Sequence, residues 1–251
     1  MASKKLAVIE KAQALSPFQQ ELMDEASKDR AKETLGVPRV THKGGVLMVD
    51  GVKVKDNKIQ VGIIDYAFVK SYYDGEYDPN VMQTPVCYAM GKDEGVLKPH
   101  ANAPDKQSTE CSACDHNKFG TALKGRGKRC KDERRIMIIA EAGDPTSIQK
   151  AEVRQISVPP GSLKGWGNYL NSLRDVTPSG NIRSVLTEIS TQPGKVGAHE
   201  LTFKAVGVLP DEAVGAILQR RQGVEGQLLA PFPNIEAEEK TAPKNRRASV
   251  K

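Results

Sequence analysis

Between residues 44 and 208 apolar and polar positions alternate in short runs separated by Gly, Pro, Asn and Asp, which is the pattern of β-strands joined by turns. Residues 46–49 form one such run, and Asp50-Gly51 behind it is a hairpin signal. Over 59–72 the odd positions Ile59, Val61, Ile63, Ala67 and Val69 are apolar, interrupted by Asp65, and predict a core-facing side. The even positions include Ile64, Tyr66, Phe68, Lys70 and Tyr72, a second face of aromatics and a lysine. Residues 86–90, 135–141, 149–158, 182–189 and 200–208 read as further strands. After Pro159-Pro160-Gly161 a helix is predicted, with Ser162 as its cap; Leu163, Trp166, Leu170 and Leu173 fall at near-helical spacing, which puts Trp166 in the core. A second helix follows Pro210 over 211–221, with Gly223 as its stop signal. Residues 4–34 are helix-forming and restart at Ser16-Pro17.

Six or seven short strands with one helix between them predict a mainly β chain with accessory helices (α+β), an OB-like β-barrel carrying an inserted loop. The expected layout is an N-terminal helical arm over 1–37 and the OB-like domain over 38–233, with the loop at about 87–131. A disordered basic tail is expected over 234–251, where charge and Pro leave almost no large apolar residue. The longest apolar run, residues 136–140, is far short of the roughly 18 residues a membrane span needs. Residues 1–15 scatter lysines among their apolar positions, unlike a secretory signal, so an intracellular protein without a membrane partner is expected.

The four cysteines, Cys87, Cys111, Cys114 and Cys130, lie within 44 residues that also hold His100 and His116. Cys111-Ser-Ala-Cys114 is a CxxC knuckle that points two thiolates at one centre, and Cys130 follows at a spacing typical of zinc-ribbon halves. The fourth ligand comes from Cys87, His100 or His116; Cys87 would complete an all-cysteine tetrahedron and is favoured, with His100 second. Two disulfides would need an oxidising compartment, and a redox CxxC would be expected beside a βαβ pattern that Cys111 lacks. The expectation is one structural zinc per chain, pinning a core-poor loop over 93–131, with no open position for water or substrate. Lys128, Arg129 and Lys131, close to Cys130 in sequence, would lower thiolate pKa values and offset the charge of a tetrathiolate.

Charge sharpens this reading. The net charge of the chain is +6, and residues 118–135 alone hold eight bases (Lys118, Lys124, Arg126, Lys128, Arg129, Lys131, Arg134, Arg135) against two acids, Asp132 and Glu133, so the remainder is neutral overall. A basic patch this concentrated is the footprint of a phosphate-backbone partner. Bases would stack on Tyr72, Tyr73, Tyr88 or Phe119, with Lys70 beside them for phosphate. Residues 120–126 begin like a phosphate-binding P-loop, but Arg126 stands where Lys is needed and Gly127 where Ser or Thr must bind magnesium. No spacing of the four histidines suggests a catalytic set, so no enzyme and no small-molecule substrate are expected.

Tyr72-Tyr-Asp-Gly-Glu-Tyr-Asp-Pro79, Pro85-Val-Cys87, Cys111-Ser-Ala-Cys114-Asp-His-Asn-Lys-Phe-Gly120 and Gly125-Arg-Gly-Lys-Arg-Cys130 resemble a family of tailed-bacteriophage proteins called single-stranded-DNA-binding proteins. A weaker likeness continues through Val158-Pro-Pro-Gly-Ser-Leu163 and Leu201-Thr-Phe203. The layout is also similar to the zinc-containing OB-fold helix-destabilising proteins of T-even phages, which use one histidine with three cysteines. The resemblance implies zinc on Cys87, Cys111, Cys114 and Cys130. It implies sequence-nonspecific binding of single-stranded DNA that protects strands during replication or recombination, in the cytoplasm of an infected bacterial host. Such binders usually recruit replication or recombination proteins through an acidic tail, whereas residues 234–251 here hold five bases and three acids. The alternative expectation is a zinc-ribbon adaptor that binds RNA polymerase or a replication protein; a zinc-dependent nuclease would need an open metal position.

Overall fold

In the computed structural model, residues 38–75, 83–140, 142–194 and 198–232 are described, together with the isolated positions Ser16, Phe18, Glu21 and Leu22. Two compact units divide the chain, Met1–Gly36 and Val37–Lys251, and the strands belong to the second. Apart from those four positions, the arm expected over 1–37 lies outside the described residues, as does the tail expected over 234–251.

Nine strands are described: β1 (Arg39–Thr41), β2 (Met48–Val49), β3 (Val52–Lys53), β4 (Lys58–Tyr72), β5 (Cys87–Gly91), β6 (Lys131–Ile139), β7 (Arg154–Val158), β8 (Val185–Pro193) and β9 (His199–Val208). The predicted hairpin forms between β2 and β3, with both Asp50 and Gly51 at positive φ, as a tight two-residue turn requires. The sheet runs β3-β2-β1-β7-β6-β4-β8-β9, and β5 pairs with β4 off this path. Strand β4 is the spine: its first five residues pair with β8, its last five with β5, and β6 runs along its other edge. All pairings are antiparallel except β1 with β7.

The strand path stays open, but its ends approach. Asn57 on the turn before β4 donates from Nδ2 to the Gly45 carbonyl (2.8 Å) and to Thr191 Oγ1 on β8 (2.6 Å). The architecture is therefore mixed α+β, with most of the strands in a sheet curled into a half-barrel. Inside the curl lies the larger core, built from Val61, Ile63, Ile136, Ile156 and Ile189 under Trp166, Tyr169 and Leu173. Those three project from helix α2 (Leu163–Ser172) and the short turn after it, so Trp166 is core, edge-on to Tyr66 and Phe203.

The second face of β4 is also covered, because the alternation breaks. A bulge places Ile64 between Ile63, opposite Ile138, and Asp65, opposite Met137. One inserted residue swaps the side on which each later residue points. Tyr66 therefore joins the larger core, while Ile64 and Ala67 face a second one with Met137 and Ile139. Helix α3 (Asp211–Leu228) closes that second core with Ala213, Ala216, Ile217, Val224 and Leu228. It runs through Gly223, the predicted stop: a helical glycine costs about 1 kcal/mol, less than the roughly 1.5 to 3 kcal/mol from burying one large aliphatic side chain beyond it.

Two other expectations change. The strand predicted over 149–158 is helix α1 (Pro145–Lys150) followed by β7; Asp144 caps the helix by accepting from the Ser147 N–H (2.7 Å), and Pro145 occupies its first turn. Ser162 precedes α2 as predicted, but its Oγ accepts from the Leu201 N–H on β9 (2.8 Å) instead of capping the helix. Among the described residues no helix is long and apolar enough to cross a membrane.

Candidate metal centre and basic cleft

The 39 residues between β5 and β6 contribute little core: Leu97 and Cys111 pack with Ala89 and Phe68. Backbone hydrogen bonds give this segment its course. The His100 N–H donates to the Tyr88 carbonyl (2.7 Å), Cys111 N–H to Leu97 (3.0 Å) and Cys130 N–H to His116 (2.9 Å). The basic turn is closed where the Gly120 and Ala122 N–H groups meet the Gly127 carbonyl (2.9 and 3.1 Å).

These bonds bring Cys87, at the start of β5, together with Cys111, Cys114 and Cys130 around one small cavity of about 20 Å3. His116 also lines it; His100 does not, and instead stacks on Tyr88 and accepts the Asn102 N–H at Nδ1. The four thiols are free of disulfides. Burial pushes the Cys87 thiol above its ordinary pKa, Cys111 to about 11 and Cys130 to about 12. A bare thiolate is disfavoured there, and a bound soft cation would supply the charge compensation that burial removes. All-sulfur donors on a knuckle and two strand-end positions fit zinc. The four cysteines share the cavity, but among the described residues no three His, Cys, Asp or Glu side chains are grouped as a metal site.

Lys70 is the residue that sequence reasoning misplaced. It is only 5% exposed. Its Nζ donates to Asp132 Oδ1 (2.5 Å) and Glu94 Oε1 (3.1 Å), and its charge acts against the upward shifts of Cys111 and Cys130. The ammonium therefore stands behind the cysteines, where it would offset a tetrathiolate's excess negative charge. The sequence assigns that role to Lys128, Arg129 and Lys131, which turn elsewhere. Asp132 also takes Lys128 on its other oxygen (2.7 Å), linking the cysteine cavity to the surface beyond.

That surface is a cleft of about 530 Å3 bordered by Tyr73, Lys124, Lys128, Arg129, Lys131 and Glu133, with Leu123 as an apolar wall. It sits where β4 ends and β6 begins, since Ser71 is paired with Lys131. Lys131 Nζ lies 5.6 Å from the centre of the Tyr73 ring. Phe119, 79% exposed, carries Lys128 above its ring at 5.1 Å. Five of the sequence candidates thus meet in one place, four cations and an aromatic, with Phe119 close by through Lys128.

Four of the others are corrected. Lys70, Tyr72, Tyr88 and Arg135 are buried and cannot reach a phosphate or a base. The Tyr72 ring stacks on His116 (4.3 Å between centres), and Tyr88 packs between His100 and Phe232. Arg135 donates from Nη1 to the Leu228 and Ala230 carbonyls (3.0 and 2.6 Å) at the end of α3; burial, with Arg39 beside it, brings its pKa down to about 10. The remaining three stand apart from the cleft's lining: Arg134 pairs with Glu94 (3.0 Å) over the Phe68 ring, Lys118 pairs with Asp115, and Arg126 is exposed on the turn. Glu133 is the cleft residue that sequence reasoning missed; its acidic character in a basic run was the available signal.

Compared with protein-family models, with curated proteins and with solved structures, the chain matches none.

Proposed function

We propose that the chain binds single-stranded DNA without a requirement for a defined sequence, through the cleft beside Tyr73, and that Cys87, Cys111, Cys114 and Cys130 hold one structural zinc that shapes the cleft's wall. The observation that carries the reading is the meeting of Lys124, Lys128, Arg129 and Lys131 with Tyr73 in one cleft, beside four cysteines that share a cavity. Cations neutralise phosphates and an aromatic ring stacks any base, so the combination suits a flexible single strand. In this reading the half-barrel is an OB-like scaffold and the cleft lies on its rim. The resemblance to tailed-bacteriophage proteins favours strand protection during replication or recombination in an infected bacterial cell. No catalytic role is part of the proposal, since four cysteine ligands would leave zinc no open position.

Fluorescence anisotropy of a labelled oligo(dT), titrated with metal-quantified protein over a range of salt, tests it. Each phosphate neutralised on a single strand contributes a slope of about −0.7 to log affinity against log salt, so three or four contacts give about −2 to −3. Lys124→Glu combined with Lys131→Glu should weaken binding and flatten that slope, while Lys204→Glu, on the exposed side of β9, should not. Absence of binding at low salt would overturn the proposal in favour of an adaptor that presents the basic turn to an acidic protein surface.

A further inference from the structure

Resting on that reading, we propose that the cleft holds a nucleobase as well as a phosphate, and that Glu133 makes guanine its preferred base. A site built for phosphate alone gains nothing from a carboxylate, which repels the ligand. Yet Glu133 lines the cleft among four cations, and among the described residues no Lys or Arg lies within ion-pairing distance of it. The charges of Lys131 and Arg135 act on Glu133 from beyond ion-pair contact, and the hydrogen bonds and close contacts of its neighbours go elsewhere: Lys128 to Asp132 and Asn117, Arg129 to Asp74 and the Tyr72 ring, and Arg135 to the carbonyls at the end of α3. Among the described residues, the one hydrogen bond to the Glu133 carboxylate is a long one from Ser71 Oγ to Oε1 (3.4 Å). Burial raises the Glu133 pKa, as expected of a carboxyl short of partners. The cleft therefore contains an underused acceptor close to Tyr73, whose own pKa is raised by burial and by the Glu133 charge.

Base-edge chemistry selects the ligand. An ionised carboxylate only accepts hydrogen bonds. Of the four DNA bases, guanine alone presents two adjacent N–H donors on its Watson–Crick edge, at N1 and N2. Thymine offers one donor between two carbonyls, and adenine and cytosine each set a lone-pair acceptor beside their amino group. Single strands expose these edges for such readout while the ring stacks on an aromatic side chain. The volume of about 530 Å3 lies within the roughly 300 to 1,000 Å3 range of small-ligand clefts.

The test compares an oligo(dT) with one of equal length carrying isolated guanines, spaced so that no quadruplex forms, on the full chain with its metal content measured. Guanine should tighten binding roughly tenfold, within the discrimination a two-point base contact supplies. Glu133→Gln should abolish that preference and leave oligo(dT) affinity equal or higher, because Gln presents one acceptor beside a donor and removes a negative charge from the cleft. Equal binding of the two oligonucleotides by the unaltered protein, or a preference that survives Glu133→Gln, overturns the guanine inference while DNA binding stands. Failure of both oligonucleotides to bind overturns the DNA reading with it.

Discussion

Stripping the protein with a strong chelator should release about one zinc per chain and open the segment between β5 and β6 while the central sheet stays folded. That segment has Leu97 and Cys111 as its core contribution, so there is little apolar burial to hold it once a ligand set is lost. Structural zinc sites are worth about 10 to 16 kcal/mol in small metal-dependent units, more than the few backbone bonds here can replace. Hydrogen exchange reads the result directly: the amides of Cys111, Cys130 and Gly120 should lose protection, while those of β4, β6 and β7 keep it. Cys111→Ser or Cys130→Ser should reproduce the loss, and His100→Ala should retain the metal, since His100 is outside the cavity. DNA affinity should fall in parallel, because Lys124, Lys128 and Arg129 lie on the same segment. Lys70→Met makes a finer probe: Asp132 and Glu94 keep Lys128 and Arg134 as partners, so the variant should fold yet lose metal faster to a competing chelator. Unchanged exchange after verified metal removal, or protein that never carries metal, would overturn the zinc proposal.

How far the sequence revealed this arrangement depended on the range of each signal. Alternation and turn residues located most of the strands, and the spacing of the cysteines marked their cluster, because both signals are local. The bulge at Ile64 left no mark in composition, yet it reversed the facing of every later residue on β4 and so hid the second core beneath α3. Helix α1 was misread because its cap, Asp144-Pro145, lay just outside the apolar run that suggested a strand. Charges were the least legible feature. The eight bases from Lys118 to Arg135 looked equivalent in sequence, but their partners, Glu94, Asp132 and the carbonyls ending α3, come from distant places, and they decide which cations face solvent. Lys70 moved from a phosphate contact to a buried ion pair for the same reason.

Asp65, which in sequence merely interrupts an apolar row, should prove among the most sensitive single positions for stability. It is 3% exposed, on β4 just past the bulge. Its carboxylate accepts from Arg183 Nη2 (2.6 Å) and Arg221 Nε (3.0 Å) and pairs with Lys92 Nζ (2.5 Å). Arg183 also donates to the Ile64 carbonyl (2.8 Å) and Lys92 to the Tyr66 carbonyl (3.1 Å), so the same cations satisfy backbone groups at the bulge. Lys92 follows β5, Arg183 precedes β8 and Arg221 lies on α3, so one carboxylate ties three parts of the fold to β4. Asp65→Asn leaves these cations gathered without their anion; breaking a fully buried pair costs about 3 to 5 kcal/mol, and since Lys92 and Arg221 are partly open to water the loss should fall at or below the lower end of that range. Burial alone would raise the Asp65 pKa, but the hydrogen bonds from Lys92 and Arg221 outweigh it and hold the pKa below the ordinary carboxylate value. A group depressed in the folded state stabilises fully above its unfolded pKa, and that contribution fades as pH falls through the folded one. Urea unfolding at neutral pH should therefore show the full loss for Asp65→Asn, and the gap to the unaltered protein should narrow toward acid pH. A gap below about 0.5 kcal/mol at neutral pH, the size of an ordinary surface substitution, would mean that the three cations hold their places without Asp65.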